Sequence, residues 1–309
     1  IIGIISIIVI IIVVILLGKI SSFIKSKNNE NVQRNDDYSE IYDYIGVTID
    51  EDNIYKIYGI NEDEEKYLDV KTFYEVKDMI NIDKKIVLYS DAVNELRYDK
   101  KKGEFYFYEL DEFYNKYDNV KLTHDYMVIS DDNKISYRKY GSDTFEDIEQ
   151  AKEYKISNNK IYFYNKENIY EFDMKTKEKK IIAMYERDDI IELLDVSDKY
   201  LFYLKNNVLN TCSLEKFANY DLSPLSFYSI SNDGFITLEN NILKNYSISS
   251  GEYLYDYFVG GNINNLFYLD NNNFYLSFDD NYVIIDMKSS KVWKNLSNKY
   301  IYLMKVNNI

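Results

Sequence analysis

An all-β fold of seven four-stranded repeats is what this sequence predicts, and three observations predict it. A strand–turn–strand unit with Asn or Asp in its turn recurs seven times. A further apolar strand precedes every unit but the first. A fourth strand follows, introduced by a polar turn with a recurring signature.

Residues 160–179, KIYFYNKENIYEFDMKTKEK, show the unit most plainly. Tyr, Ile and Phe dominate 161–164 and 169–172, and such side chains suit a pleated, half-buried surface. Between them lies Asn165-Lys166-Glu167-Asn168, where Asn bonds its own main chain and tolerates a left-handed backbone. Equivalent turns fall at 50–53, 91–94, 131–133, 206–207, 240–241 and 279–281, each after a short apolar strand.

Upstream of six hairpins, an apolar residue sits five positions before an apolar residue of the hairpin. The pairs are Ile82/Val87, Leu122/Met127, Ile156/Ile161, Val196/Leu201, Ile230/Phe235 and Leu269/Phe274. The signature before the fourth strand reads Asp99-Lys-Lys-Lys-Gly-Glu, Asp173-Met-Lys-Thr-Lys-Glu, Ser247-Ile-Ser-Ser-Gly-Glu and Asp286-Met-Lys-Ser-Ser-Lys. The anchors Val87, Met127, Ile161, Leu201, Phe235 and Phe274 are 40, 34, 40, 34 and 39 residues apart. Four strands in roughly 40 residues is the period of a β-propeller blade. Helical repeats of that length need a 3.6-residue apolar spacing, which these segments lack. Seven blades are expected, six and eight being the alternatives. On these repeats, residues 40–306 resemble the divergent, Tyr-rich bacterial β-propellers, many of which have no assigned function. The resemblance implies the fold and little about activity.

Residues 1–17 are apolar apart from Gly3 and Ser6. As a helix they would span about 26 Å, slightly short of a bilayer core of about 30 Å. An uncleaved, single-span transmembrane anchor over 1–24 is therefore expected, then a polar linker over 25–39 and a propeller domain over 40–309. Leu16-Leu17-Gly18-Lys19 does not look like a signal-peptide cleavage site. Lys19, Lys25, Lys27 and Arg34 would favour a cytoplasmic side for the flank after the span. Analogy with other N-terminally anchored domains places the propeller outside the cytoplasm, and that is the expectation adopted.

Of 37 basic and 52 acidic residues, four and one precede residue 35, which leaves a net charge of −18 beyond it. So acidic a domain is a poor non-specific nucleic-acid binder, and no nucleic-acid partner is expected. One cysteine, Cys212, rules out an internal disulfide and is expected as a small packed thiol in a third strand. The only proline, Pro224, falls between repeats, where no ladder donor is needed.

No cofactor, metal site or catalytic residue is expected. The single histidine, His124, lies in the turn between the first two strands of its repeat, and a His-based metal site would need several ligands. Carboxylate clusters such as Asp50-Glu51-Asp52 and Asp279-Asp280 occupy the hairpin turns, which accounts for them as turn formers. The EF-hand spacing is missing. A surface glycosidase or lyase working through Asp and Glu remains the alternative function, because carboxylate separation is not readable from sequence.

The candidate interaction residues are aromatic. Phe113, Tyr114 and Tyr117 link one repeat to the next, and Tyr257 and Phe258 do so later. In a propeller these connections share a face with the Asx hairpin turns, and exposed Tyr and Phe are common binding anchors. Capping of blade edges competes with that role. The favoured function is a membrane-tethered platform for a protein or a cell-wall glycan. Finally, seven hairpins need seven first strands, and the first hairpin lacks one. The lone C-terminal strand near 300–305 is expected to supply it.

Overall fold

The fold is set by its turns. In a computed structural model, three of the hairpin turns carry two consecutive residues with positive φ. They are Asp132-Asn133 (46° and 62°), Asn206-Asn207 (51° and 64°) and Asn240-Asn241 (51° and 62°). This backbone makes a two-residue hairpin whose twist matches its strands, and Asn and Asp adopt it more readily than other side chains. The signature turns are explained in the same way. Asp99, Asp173 and Asp286 each accept two backbone N–H bonds from the residues two and three positions on, at 2.8–3.3 Å. The residue four positions on is left-handed in all three: Gly103 (φ 70°), Lys177 (61°) and Ser290 (54°).

The structure describes residues 41–306 except 73, 83, 84, 91, 100, 112–118, 152, 166, 217, 218, 223, 224, 226, 232, 233, 249–251 and 271. The expected anchor over 1–24, the linker and Pro224 lie outside the described residues. No helix among the described residues is long and apolar enough to cross a membrane.

The described strands form seven four-stranded antiparallel sheets, so the fold is a seven-bladed β-propeller. Strands are labelled a to d within each blade, and the a strands of most neighbouring blades adjoin around the ring. The a strands of blades 2 to 7 are Asp78–Ile82, Asn119–Leu122, Tyr154–Ser157, Ile191–Val196, Ser229–Ile230 and Ile263–Asp270. Four of the five-residue pairs are direct cross-strand partners: Leu122↔Met127, Ile156↔Ile161, Val196↔Leu201 and Ile230↔Phe235. In blade 2 the register instead pairs Ile80 with Val87 and Ile82 with Lys85. In blade 7 an irregularity between Tyr268 and Asp270 shifts Phe274 onto Tyr268.

Blade 1 is closed by the C-terminal strand, as the sequence predicts. Strand Tyr302–Lys305 is its a strand and pairs with Tyr44–Ile49, in the register Tyr44↔Lys305 to Val47↔Tyr302. Ile301 N donates to Val47 O (2.9 Å) and Val306 N to Asp43 O (2.8 Å), extending the join at both ends. Tyr300, just before the strand, is fully buried; its N–H donates to Tyr275 Oη of blade 7 and its hydroxyl to Glu65 Oε2 of blade 1 (3.1 and 2.9 Å). Glu65 Oε1 also accepts from Ser297 N (2.6 Å).

The core is divided among the junctions between blades. One cluster joins Tyr162 and Ile182 of blade 4 to Leu193, Leu201 and Cys212 of blade 5. Another joins Tyr275 and Ile284 of blade 7 to Tyr44, Ile60 and Leu303 of blade 1. Each fully buried side chain contributes about 1.5–3 kcal/mol, so every junction stabilises the ring. Cys212 is fully buried in a third strand, as expected, and burial pushes its thiol up to about 11.

Candidate functional site

Two regions could carry function: one face of the ring, and the cavity at its axis.

In blades of this order, b–c turns and d–a connections lie on the same face. Three of the described large apolar side chains are far more exposed than the rest, and all three lie there. Met184 (75 % exposed) ends the d strand Lys179–Met184 of blade 4, Ile190 (72 %) ends the connection to blade 5, and Phe258 (70 %) ends the d strand Tyr253–Phe258 of blade 6. Met184 and Phe258 occupy the same place in their blades, each paired with the first residue of its c strand (Asn168↔Met184, Ile242↔Phe258). The next residue turns inward in both. Tyr185 N donates to Glu167 O (2.7 Å) and Val259 N to Asn241 O (2.8 Å). These bonds fix the connection on the neighbouring hairpin turn and leave the preceding side chain outside.

Ile190 is held by a tighter arrangement. Its N–H donates to Asn206 Oδ1 (2.9 Å), and Asn206 Nδ2 donates to Asp189 Oδ1 (2.8 Å). Lys205 Nζ pairs with Asp189 Oδ2 at 2.9 Å, and this hydrogen bond holds the Asp189 carboxyl below its usual value. The connection is thus fastened to the blade 5 turn, with Ile190 presented to solvent.

Of the aromatic candidates, Phe258 is exposed on this face. Tyr257 is not free to bind: it is half-buried and packs on the junction cluster of Leu243, Phe274 and Leu276, and burial raises its hydroxyl pKa. Alternation along a d strand places neighbouring side chains on opposite sides, so one of the two had to face the core. Phe113, Tyr114 and Tyr117 lie outside the described residues. Met184 and Ile190 are not aromatic, and the sequence reading missed them. The signal was there: each is an apolar residue at a strand end, next to a connection.

A cavity of about 1200 Å³ runs along the a strands of blades 2 to 5. Four carboxylates line it: Asp78, Glu153, Glu192 and Asp195. Two already have structural tasks across blade junctions. Asp78 Oδ2 accepts from Leu122 N of blade 3 (2.6 Å), and Glu153 Oε2 accepts from Leu193 N of blade 5 (3.2 Å). Lys121 Nζ also reaches Asp78 Oδ1 at 3.4 Å. Asn81 does similar work with its amide, donating to Lys305 O (2.8 Å) of blade 1.

Asp78 is buried, and burial pushes its carboxyl above the usual value of 3.8, against the pull of Lys121 and the Leu122 amide. A carboxyl raised on folding takes up its proton more readily in the folded state. The native state therefore loses stability as pH rises from the unfolded value through the raised one, and levels off above it. The stability of the wild type relative to Asp78→Asn is expected to fall as pH rises from about 4 and then to flatten. Urea unfolding at a series of pH values measures this difference; one that is flat, or that rises with pH, would contradict the assignment.

His124 stands in the a–b turn of blade 3, half exposed, with its Nδ1 3.0 Å from Asp125 Oδ1. Its neighbours in the turn are structural: Thr123 Oγ1 donates to Asn159 Oδ1 of blade 4 (3.2 Å), and Asn159 Nδ2 to Asp125 Oδ2 (3.3 Å).

No protein-family model matches the chain, and no curated protein matches it. Solved structures do. Apo AztD from Citrobacter koseri aligns with a TM-score of 0.51 and 11 % identity, over 84 % of this chain and 88 % of that one. The computationally designed Ika8 protein aligns at 0.48 and 12 %, over 83 % and 85 %. PorZ, a bacterial surface component of the type-IX secretion system of Porphyromonas gingivalis, aligns at 0.44 and 12 %, over 71 % of this chain and 32 % of that one. Identities this low carry the fold alone.

Proposed function

We propose that the protein is a membrane-tethered β-propeller, held outside the cytoplasm, whose connection-bearing face docks a protein partner. One observation carries the reading: Met184, Ile190 and Phe258 stand about three-quarters exposed on a single face. Exposed apolar side chains on fastened backbone lose little freedom on binding, and such residues anchor interfaces. The tether rests on the apolar run 1–17 and on nothing in the folded domain. A cell-wall glycan is the rival occupant; sugar surfaces call for stacked aromatics, and among the described residues Phe258 is the one candidate aromatic exposed there.

The test is capture from cross-linked membranes with the purified chain and with the triple variant Met184→Ser, Ile190→Ser, Phe258→Ser. A partner retained by the wild type and reduced at least tenfold by the variant, at unchanged melting temperature, is the expected result. Equal capture by both would end the reading. Retention on protein-free cell-wall sacculi that depends on the same three residues would transfer it to glycan.

The enzyme alternative draws support from the carboxylates that converge on the axial cavity. The Glu192 carboxylate makes no hydrogen bond or ion pair among the described residues and is the group such chemistry would use. Release of reducing sugar from cell-wall material, abolished by Glu192→Gln, would decide for it.

A further inference from the structure

The axial cavity is lined by two groups of opposite charge, Lys155 and Asp195, that form no close ion pair with each other or with another side chain among the described residues. Lys155 is the second residue of the blade 4 a strand, and Asp195 the fifth of the blade 5 a strand; these strands adjoin and both residues line the cavity. Each is part-buried. Asp195 accepts one hydrogen bond, from Val196 N at 2.8 Å, and among the described residues neither side chain makes an ion pair. Burial raises the Asp195 carboxyl, against the Val196 amide and the weaker pulls of Lys155 and Lys121. Elsewhere in this ring such groups are satisfied: Asp78 by Leu122 N and Lys121, and Asp270 by Lys305 at 2.6 Å. Between blades 4 and 5, Ile156, Leu194 and Val196 add apolar wall. A part-buried charge with no counter-charge in direct contact is costly, and a ligand that supplies one recovers part of that cost.

We propose that the axial cavity is a binding site for a small zwitterion of amino-acid or short-peptide type, its ammonium on Asp195 and its carboxylate on Lys155. A ligand of one sign would satisfy one group and leave the other unmatched. A neutral ligand would satisfy neither. The apolar wall takes the ligand's hydrocarbon part. At about 1200 Å³ the cavity has room for a tripeptide. This site is separate from the docking face and stands whether or not that face binds a protein.

The test is calorimetric titration of the full chain in mild detergent with L-alanine and trialanine. The controls are propionate, ethylamine and N-acetyl-trialanine amide. Saturable binding of at least one zwitterion is expected, at least tenfold tighter than any control. Lys155→Met and Asp195→Asn should each weaken it at least tenfold while circular dichroism and melting temperature hold. If Asp195→Asn fails to fold, Lys155→Met alone decides. No saturable binding of either zwitterion, equal binding of the doubly blocked peptide, or undiminished binding by the folded variants would overturn the proposal.

Discussion

Deleting residues 299–309 is expected to abolish the single cooperative unfolding transition of the propeller. The segment supplies the a strand of blade 1, and its side chains Tyr300, Leu303 and Val306 are 0, 7 and 0 % exposed. Burial of three such side chains contributes roughly 5–9 kcal/mol, a large part of the 5–15 kcal/mol that holds a typical domain folded. The deletion also bares the edge of Tyr44–Ile49 and opens the junctions on both sides, since Tyr302 Oη donates to Lys77 O of blade 2 (2.9 Å) and Lys305 Nζ to Asp270 of blade 7. A bare strand edge invites aggregation. Limited proteolysis should then cut first within residues 41–72. A truncated chain that melts with the full one would show that the last strand carries no such weight.

Gly46→Val should have the next largest effect. Gly46 sits in the strand that receives the closing segment, and a Cβ there would overlap the ring of Tyr300 and lie 3.0 Å from Leu303 Cδ1. Tyr300 has nowhere to retreat: its ring packs edge-on against Tyr275 and Tyr58, with centroids 6.3 and 6.2 Å away. Overpacking of this kind costs about 1–3 kcal/mol, and expelling the Tyr300 ring costs about 3–5 kcal/mol. The melting temperature should drop by roughly 6–12 °C for about 3 kcal/mol in a domain of this size. Gly260→Val is the control, because a Cβ there meets nothing within 4 Å. Adding Tyr300→Ala to Gly46→Val should recover part of the loss, since the two side chains compete for one space. Equal effects at Gly46 and Gly260 would contradict the packing.

The fold was legible because its turns demand particular residues. Asn-Asn and Asp-Asn pairs mark backbone that few other side chains adopt, and the Asp of the signature marks a turn that needs two accepted N–H bonds. The closing strand was legible by counting, because seven hairpins with six first strands leave one vacancy. Registers were less so. The Ile82/Val87 spacing matches the others, yet the register pairs Ile82 with Lys85 and Val87 with Ile80, a shift of two residues. The candidate site was the hardest part. Tyr257 and Phe258 are neighbours of similar character, and only the strand's phase decides that Tyr257 packs inward and Phe258 faces water. Met184 and Ile190 look like core residues in sequence, and it is the hydrogen bonds of Tyr185 and Asp189 that place them outside. Nor could the axial cavity be read from sequence, because Lys155 and Asp195 are 40 residues apart and come to line one cavity only through the ring.

The docking face is tested most directly by photo-cross-linking in the protein's own host. A benzophenone side chain is placed by Phe258→p-benzoylphenylalanine or Met184→p-benzoylphenylalanine on the face, and by Tyr253→p-benzoylphenylalanine on an outer strand, where the native residue is 51 % exposed. The account predicts one discrete protein adduct, the same from Phe258 and Met184, and none from Tyr253. Adducts of equal yield from all three positions, or from Tyr253 alone, would contradict it.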